Sequence, residues 1–232
     1  MSEDNKKRKH ERVNDILLGP IERPALAWLC VRLPGWVTPD QLTAFGFVAG
    51  LLIALSYYLS NYHKGFLWLA SLGFVLNWFG DSLDGNLARH RKIERPKYGF
   101  YIDHTVDTLT QVIIFVGLGL SPFVDFRIAC LTLIGYLMMS ILVYVTTFIT
   151  GVFQISYSKL GPTEIRVIAI IINTIVFFAT DLKVNFSFGS LTFFDIALSI
   201  IALLLLFFYI STMLKQLSEL SDIDRKQPKS VD

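Results

Sequence analysis

Long apolar runs separated by short polar links dominate the sequence from Leu42 onward. Six can be delimited, at Leu42–Ser60, Gly65–Arg89, Gly99–Pro122, Arg127–Thr150, Thr163–Thr180 and Thr192–Leu214. Each is near or above the roughly 20 residues a helix needs to cross a bilayer. The first follows Thr38-Pro39-Asp40-Gln41, where a capping-type residue and a proline precede the run, which is how a helix begins. Upstream, Val13–Trp36 is also rich in apolar residues but is interrupted by Pro20, Arg23, Pro24, Arg32 and Pro34. It is too broken to span and reads as a surface-lying amphipathic segment, with Trp28 and Trp36 at headgroup level; a short helix packed on the protein itself is the alternative. The pattern predicts an all-α polytopic membrane protein with a basic tail (1–12), a juxtamembrane amphipathic segment (13–40), six transmembrane helices (41–214) and a second polar tail (215–232). No long soluble insert, low-complexity tract or internal repeat interrupts it.

Composition agrees, at 53% hydrophobic and 17% charged residues with a mean hydropathy of +0.52. Nineteen Phe and nine Tyr suit lipid-facing and interfacial positions. Cys30 and Cys130 fit neither a metal-binding spacing nor a disulfide framework and read as incidental thiols. The net charge of +2 is too small to suggest nucleic acid; its placement carries the information. Lys6, Lys7, Arg8, Lys9 and Arg12 precede the first span, and Arg89, Arg91, Lys92, Arg95 and Lys97 lie between the second and third. Lys159 falls between the fourth and fifth, and Lys215, Arg225, Lys226 and Lys229 follow the sixth, against only Lys64, Arg127 and Lys183 in the opposite links. By the positive-inside rule both termini are cytoplasmic, which an even number of spans allows. Residues 1 to 15 are charged with no apolar core behind them, so no cleavable signal peptide is expected.

Against this apolar background, Gly80–Asp107 concentrates carboxylates, glycines and basic side chains. Asp81 and Asp84 are three apart and Asp103 and Asp107 four apart, so on helices each pair projects from one face. Two such faces meeting would make a four-carboxylate cage. Ionised carboxylates crowded near a membrane are costly, and four together call for a hard divalent cation, magnesium or manganese. The bland alternative is a structural polar network, or ion pairs with Arg89, Arg91 and Lys92. Counted along the helices at ~1.5 Å per residue, both pairs fall within roughly 6 to 12 Å of the cytoplasmic boundary, where a soluble nucleotide and a lipid headgroup are both in reach. Gly85 and Ala88 share the motif face and are small enough for close approach of a helix or a flat ligand.

The series Asp81-x2-Asp84-Gly85-x2-Ala88-Arg89 followed by Gly99-x3-Asp103-x3-Asp107 resembles the signature of the CDP-alcohol phosphotransferase family, integral membrane enzymes of phospholipid synthesis. Nine residues separate Arg89 from Gly99, more than the family usually has, which reads as a lengthened loop. The resemblance implies two metal ions shared among Asp81, Asp84, Asp103 and Asp107 and gripping the pyrophosphate of a CDP-linked donor. It also implies a cytidine diphosphate pocket at Gly85, Ala88, Arg89 and Gly99, release of CMP, and homodimers, although no stripe of residues marks an interface. The family often has asparagine where this chain has Asp40, so that nucleotide contact is not carried over. Asp103-His104-x2-Asp107 is similar to the choline/ethanolamine phosphotransferase branch, in which the histidine is taken as the base that deprotonates the acceptor hydroxyl. An imidazole titrates near neutral pH and suits that task. The branch usually carries glutamate where this chain has Phe100, and Asp107 stands as the rival base. Thr163-Glu164-Ile165 echoes the same branch, with Arg166 behind it in reach of a phosphate, though helix capping and positive-inside anchoring explain these residues equally well.

Two substrate pairs stay open. In one, CDP-choline or CDP-ethanolamine gives its phosphoalcohol to diacylglycerol; in the other, CDP-diacylglycerol gives its phosphatidyl group to a small polar alcohol such as glycerol phosphate, inositol, inositol phosphate or serine. His104 and Thr163-Glu164-Ile165 tip the balance to the first, against a chain shorter than the eukaryotic aminoalcohol enzymes. A UbiA-like prenyltransferase also pairs Asp motifs with magnesium, but it should have more spans and leaves Gly85-x2-Ala88-Arg89 unexplained. A divalent-cation transporter would need acidic residues continuing to the far side, and the spans offer almost none at mid-depth.

Overall fold

A computed structural model describes residues 11–13, 17–150, 152–154, 161–179, 183–186 and 189–226. Within these residues seven helices carry the fold: α1 (Gly19–Arg32), α2 (Pro39–Leu59), α3 (Phe66–Arg91), α4 (Pro96–Gly119), α5 (Phe126–Thr150), α6 (Pro162–Phe178) and α7 (Phe193–Lys226). Among the described residues, four helices are long and apolar enough to cross a membrane: α2, α3, α5 and the Phe193–Ile223 part of α7. The sequence predicts six. The two that do not qualify are α4, whose apolar length is broken by Lys97, Asp103 and Asp107, and α6, which has 17 residues. Residues 1–10 of the predicted basic tail, with Lys159 and Lys229, lie outside the described residues. Helix α7 continues through Lys215 to Lys226, past the point where its apolar run ends at Leu214.

The ends of the elements follow from local chemistry. Thr38 caps α2: its hydroxyl accepts from the Gln41 amide N–H, Gln41 Oε1 accepts from the Thr38 N–H, and Pro39 takes the first helical position. Lys92 ends α3 in the left-handed conformation (φ 58°) and reverses the chain. The lengthened loop expected after Arg89 is therefore a four-residue link, 92–95, because α3 runs on to Arg91 and α4 starts at Pro96. Gly99 lies inside α4, in its first turn. Two small ribbons supplement the helices, one of them joining the end of the basic tail to the link after α5. Strand β1 (Glu11–Val13) pairs in parallel with β2 (Val152–Gln154), and β3 (Lys183–Phe186) forms an antiparallel hairpin with β4 (Gly189–Thr192). β-branched and aromatic residues in these stretches favour extended backbone.

Helix α2 lies between α3 and α4; α5 packs on α4 and α7, and α6 and α1 pack on α3. Glycines bring α2 and α3 unusually close. Gly80 faces Gly46 and the Leu42 carbonyl so tightly that a methyl group there would come within 2.6 Å of backbone atoms. One apolar core, including Ile53, Tyr57, Leu67, Phe74, Leu118 and Leu198, fills the end of the bundle formed by the C-terminal half of α2 and the N-terminal half of α3. A second, Leu26, Cys30, Leu42, Leu83 and Leu87, joins α1 to the start of α2 and the end of α3. Leu131, Ile141, Phe148, Leu203 and Phe207 are exposed, as befits side chains whose solvent is lipid.

The described part of segment 13–40 holds a helix packed on the protein, one of the two readings weighed from the sequence. Helix α1 packs Leu26 and Cys30 on the protein while Ile21, Trp28 and Val31 stay exposed. Pro20 sits in its first turn, where the missing N–H costs nothing, but Pro24 lies inside it. The link from α1 to α2 is fastened by Arg91, whose guanidinium donates to the carbonyls of Leu33 (3.1 Å), Pro34 (2.9 Å) and Val37 (2.5 Å).

Candidate active site

Helices α3 and α4, both packed on α2, turn their acidic faces toward each other. Asp81 from α3 and Asp103 and Asp107 from α4 each bring a carboxylate oxygen within 4.8 Å of the other two. Such a group of half-buried carboxylates is strained by its own repulsion unless a cation is shared. Asp84, the fourth expected ligand, stands apart from this group. Its side chain is buried and accepts from Thr43 Oγ1 at 2.6 Å and from the Gly85 amide N–H at 2.5 Å.

One cation of the chain already reaches the cluster. Arg166 of α6 donates through Nη2 to Asp81 Oδ2 at 2.5 Å and through Nε to Asn77 Oδ1 at 2.9 Å. Asn77 lies one turn before Asp81 and donates to the Gly46 carbonyl, tying the arrangement to α2. Arg166 Nη1 is buried and has no hydrogen-bond partner among the described residues. Three carboxylates against one guanidinium leave excess negative charge, and oxygen donors alone suit a hard divalent ion. The residues present therefore fit magnesium or manganese held by Asp81, Asp103 and Asp107.

His104 lies beside the cluster. Its Nδ1 is 3.7 Å from Asp103 Oδ2, and its ring packs between Phe100 and Tyr144 with centroids 4.2 and 5.2 Å away. Helix α5 adds Tyr136, whose hydroxyl accepts from Gln111 Nε2 at 3.2 Å. The proposed nucleotide residues are more dispersed. Gly85 is half-buried, with the Arg89 guanidinium close to the space a side chain would take. Arg89 itself is exposed and donates to Asn86 Oδ1 at 3.1 Å. Ala88 is half-buried one turn after Asp84, and Gly99 faces open space. Arg95 from the link pairs with Asp40 at the start of α2 and lies over the Tyr98 ring.

Arg166 and Thr43 are the main site residues that the sequence undervalued. Arg166 carried only a weak echo because its partner Asp81 is 85 positions away. Asn77 had a readable signal, four residues before Asp81 on the same helical face. Glu164 accepts from the Gly161 and Leu18 amide N–H groups at 2.9 and 2.8 Å, so it caps α6 and holds the start of α1.

An apolar helical bundle with an acid cluster between its third and fourth helices describes a class of membrane protein, and the comparisons with known proteins identify it. A family model described as CDP-alcohol phosphatidyltransferase matches residues 36–210, and the chain belongs to that family. It is 38% identical over 104 residues to archaetidylinositol phosphate synthase of Pyrococcus horikoshii, covering 45% of this chain and 52% of that protein. It is 28% identical over 163 residues to cholinephosphotransferase 1 of Gallus gallus, covering 65% and 47%. To phosphatidylinositol phosphate synthase of Cutibacterium acnes it is 38% identical over 85 residues, covering 36% and 38%. The chain thus aligns with about half or less of the length of these curated relatives.

Proposed function

We propose that this protein is a transferase of phospholipid synthesis, in which an alcohol attacks a CDP-linked donor at the bilayer surface and CMP is released. The carrying observation is the meeting of Asp81, Asp103 and Asp107 within 4.8 Å, in a chain of this family. These three would hold a divalent ion, with Asp84 beside them positioned through Thr43. Two ions, as the family resemblance implies, would bring Asp84 in directly. When bound, the ion supplies neutralisation of charge on the donor's diphosphate. Gly85, Ala88, Arg89 and Gly99 line the approach for the cytidine diphosphate, and Arg89 adds a fixed cation. The acceptor oxygen bonds to the phosphorus distal to cytidine, the bond from that phosphorus to the bridging oxygen breaks, and the acceptor's proton passes to a base. His104 is that base in this reading: its ring is bracketed by Phe100 and Tyr144, whereas Asp107 is committed to the cluster.

We assign six helices, α2 to α7, to the membrane, with α4 packed against α2 and α5 and α6 packed on α3, and both termini and the site on the cytoplasmic side. The favoured substrates are CDP-choline or CDP-ethanolamine with diacylglycerol, in keeping with His104 and with the long alignment to cholinephosphotransferase. Arg166 favours a second pair. A buried guanidinium against Asp81, with Nη1 unpartnered among the described residues, suits a phosphate on the acceptor, and two relatives are named as inositol phosphate synthases. There CDP-diacylglycerol or a related CDP-lipid is the donor and a polar alcohol the acceptor.

Purified protein in detergent with magnesium or manganese, offered each donor and acceptor pair, separates the readings by CMP release. CMP from one donor only, abolished by chelation and by Asp103→Asn, is the expected outcome. No CMP from any pair refutes the proposal.

A further inference from the structure

Helix α1 lies before residue 36, where the family match begins, yet its Glu22 hydrogen-bonds both of the helices that deliver Asp81 and Arg166. A single oxygen of Glu22, Oε1, accepts from Trp78 Nε1 at 2.8 Å, Thr163 Oγ1 at 2.9 Å and Ser82 Oγ at 3.3 Å. Trp78 and Ser82 are on α3, one turn before and one residue after Asp81. Thr163 is on α6, one turn before Arg166. The two helices are therefore bridged twice at the same level, on one side by the Arg166–Asp81 pair and on the other by the Glu22 carboxylate.

We propose that Glu22 is a positioning residue, which sets the separation of α3 and α6 where they deliver Asp81 and Arg166 to the acid cluster. The consequence for turnover rests on the transferase reading above; the geometric part does not. Three donors meet one charged acceptor, and hydrogen bonds to an ionised group are roughly twice as strong as neutral ones. The helix that carries Glu22 is itself fastened at both ends. Leu18 N–H donates to Glu164 at the start of α6, Arg91 holds the link that follows α1, and Leu26 and Cys30 are buried against Leu83 and Leu87. Glu22 is thus a fixed point against which α3 and α6 are registered. Without it, the Arg166 side chain would be left as the polar bridge between them at this level, the Asn173–Ser71 bond and the Trp68–Phe177 contact lying toward the other end of the pair, and a reacting constellation displaced by about 1 Å loses up to about 100-fold in rate.

The test compares Glu22→Ala, Glu22→Gln and Thr163→Val in the full chain with two readouts. The first is the distance between nitroxides at His90→Cys on α3 and the exposed Ile165→Cys on α6, with Cys30 and Cys130 replaced by alanine, measured by double electron–electron resonance. The second is kcat and KM for CMP release. Glu22→Ala should broaden or shift the distance distribution and lower kcat about 10-fold or more, with donor KM changed less. Glu22→Gln, whose amide oxygen still accepts, should restore both, and Thr163→Val should fall between. A distribution unchanged in Glu22→Ala, or Glu22→Gln no better than Glu22→Ala, overturns the proposal. Should Glu22→Ala not fold, Thr163→Val carries the same test, since an unaltered distance there also refutes it. A distance that responds as expected in a protein releasing no CMP from any donor supports the positioning and refutes the transferase reading.

Discussion

Replacing Gly80 by alanine would put a methyl group where α2 and α3 leave no room for one. It would lie 2.6 Å from Gly46 N and from the Leu42 carbonyl oxygen, and 2.7 Å from Gly46 Cα. All three are backbone atoms of α2, so no side chain can rotate away. Ordinary contact begins near 3.4 Å, and relief requires the helices to part by roughly 0.8 Å at this point. Overpacking of this kind costs about 1–3 kcal/mol of stability. Gly80 immediately precedes Asp81, and the Asn77–Gly46 and Thr43–Asp84 hydrogen bonds both cross the same seam. The displacement therefore reaches the acid cluster, and an error approaching 1 Å lowers turnover by up to about 100-fold. Thermal unfolding in detergent and CMP release together read both effects. Gly80→Ala with unchanged melting temperature and unchanged kcat would refute the reasoning, because it would mean that the seam is looser than its geometry.

Three further outcomes are expected. Thr43→Val keeps the shape but removes the donor to buried Asp84; a hydrogen bond to a charged group is worth about 1.5–3 kcal/mol, so CMP release should fall about 10- to 100-fold and recover in Thr43→Ser. Tyr57→Phe strands the buried Asn173 Oδ1 that its hydroxyl serves at 3.0 Å. It should cost about 1–3 kcal/mol in unfolding experiments, with part of the loss recovered when Asn173→Leu is added. Hydrogen bonds from the Arg127 side chain hold Asp125 down to about 2, below its ordinary value of about 4. The stabilisation is present above the ordinary value and is lost as pH falls toward 2. Wild type and Arg127→Ala should therefore differ in melting temperature at pH 6 and converge near pH 2.

The sequence by itself determined the class of the molecule and most of its chemistry. Apolar runs of bilayer length permit only helices, since backbone groups in lipid must pair internally, and that constraint is local. The start of α2 was equally local, because Thr38, Pro39 and Gln41 make their bonds within one turn. Asp81, Asp84, Asp103 and Asp107 were legible as a four-carboxylate cage from the spacing of three residues in the first pair and four in the second. Which of the acids meet was decided by tertiary structure. Asp84 has the right spacing, but its carboxylate lies outside the close group and accepts from Thr43, 41 residues away. Arg166 and Glu22 lie 85 and 60 residues from the α3 side chains they bond, Asp81 and Ser82, so their neighbourhoods give a faint echo for Arg166 and no sign of either partner. The number of qualifying spans likewise depended on context. Polar residues that shorten the apolar length of α4 are tolerable only because α2 and α5 pack on either side of it. Local pattern fixes what a segment can form; long-range packing fixes which of its side chains meet a partner.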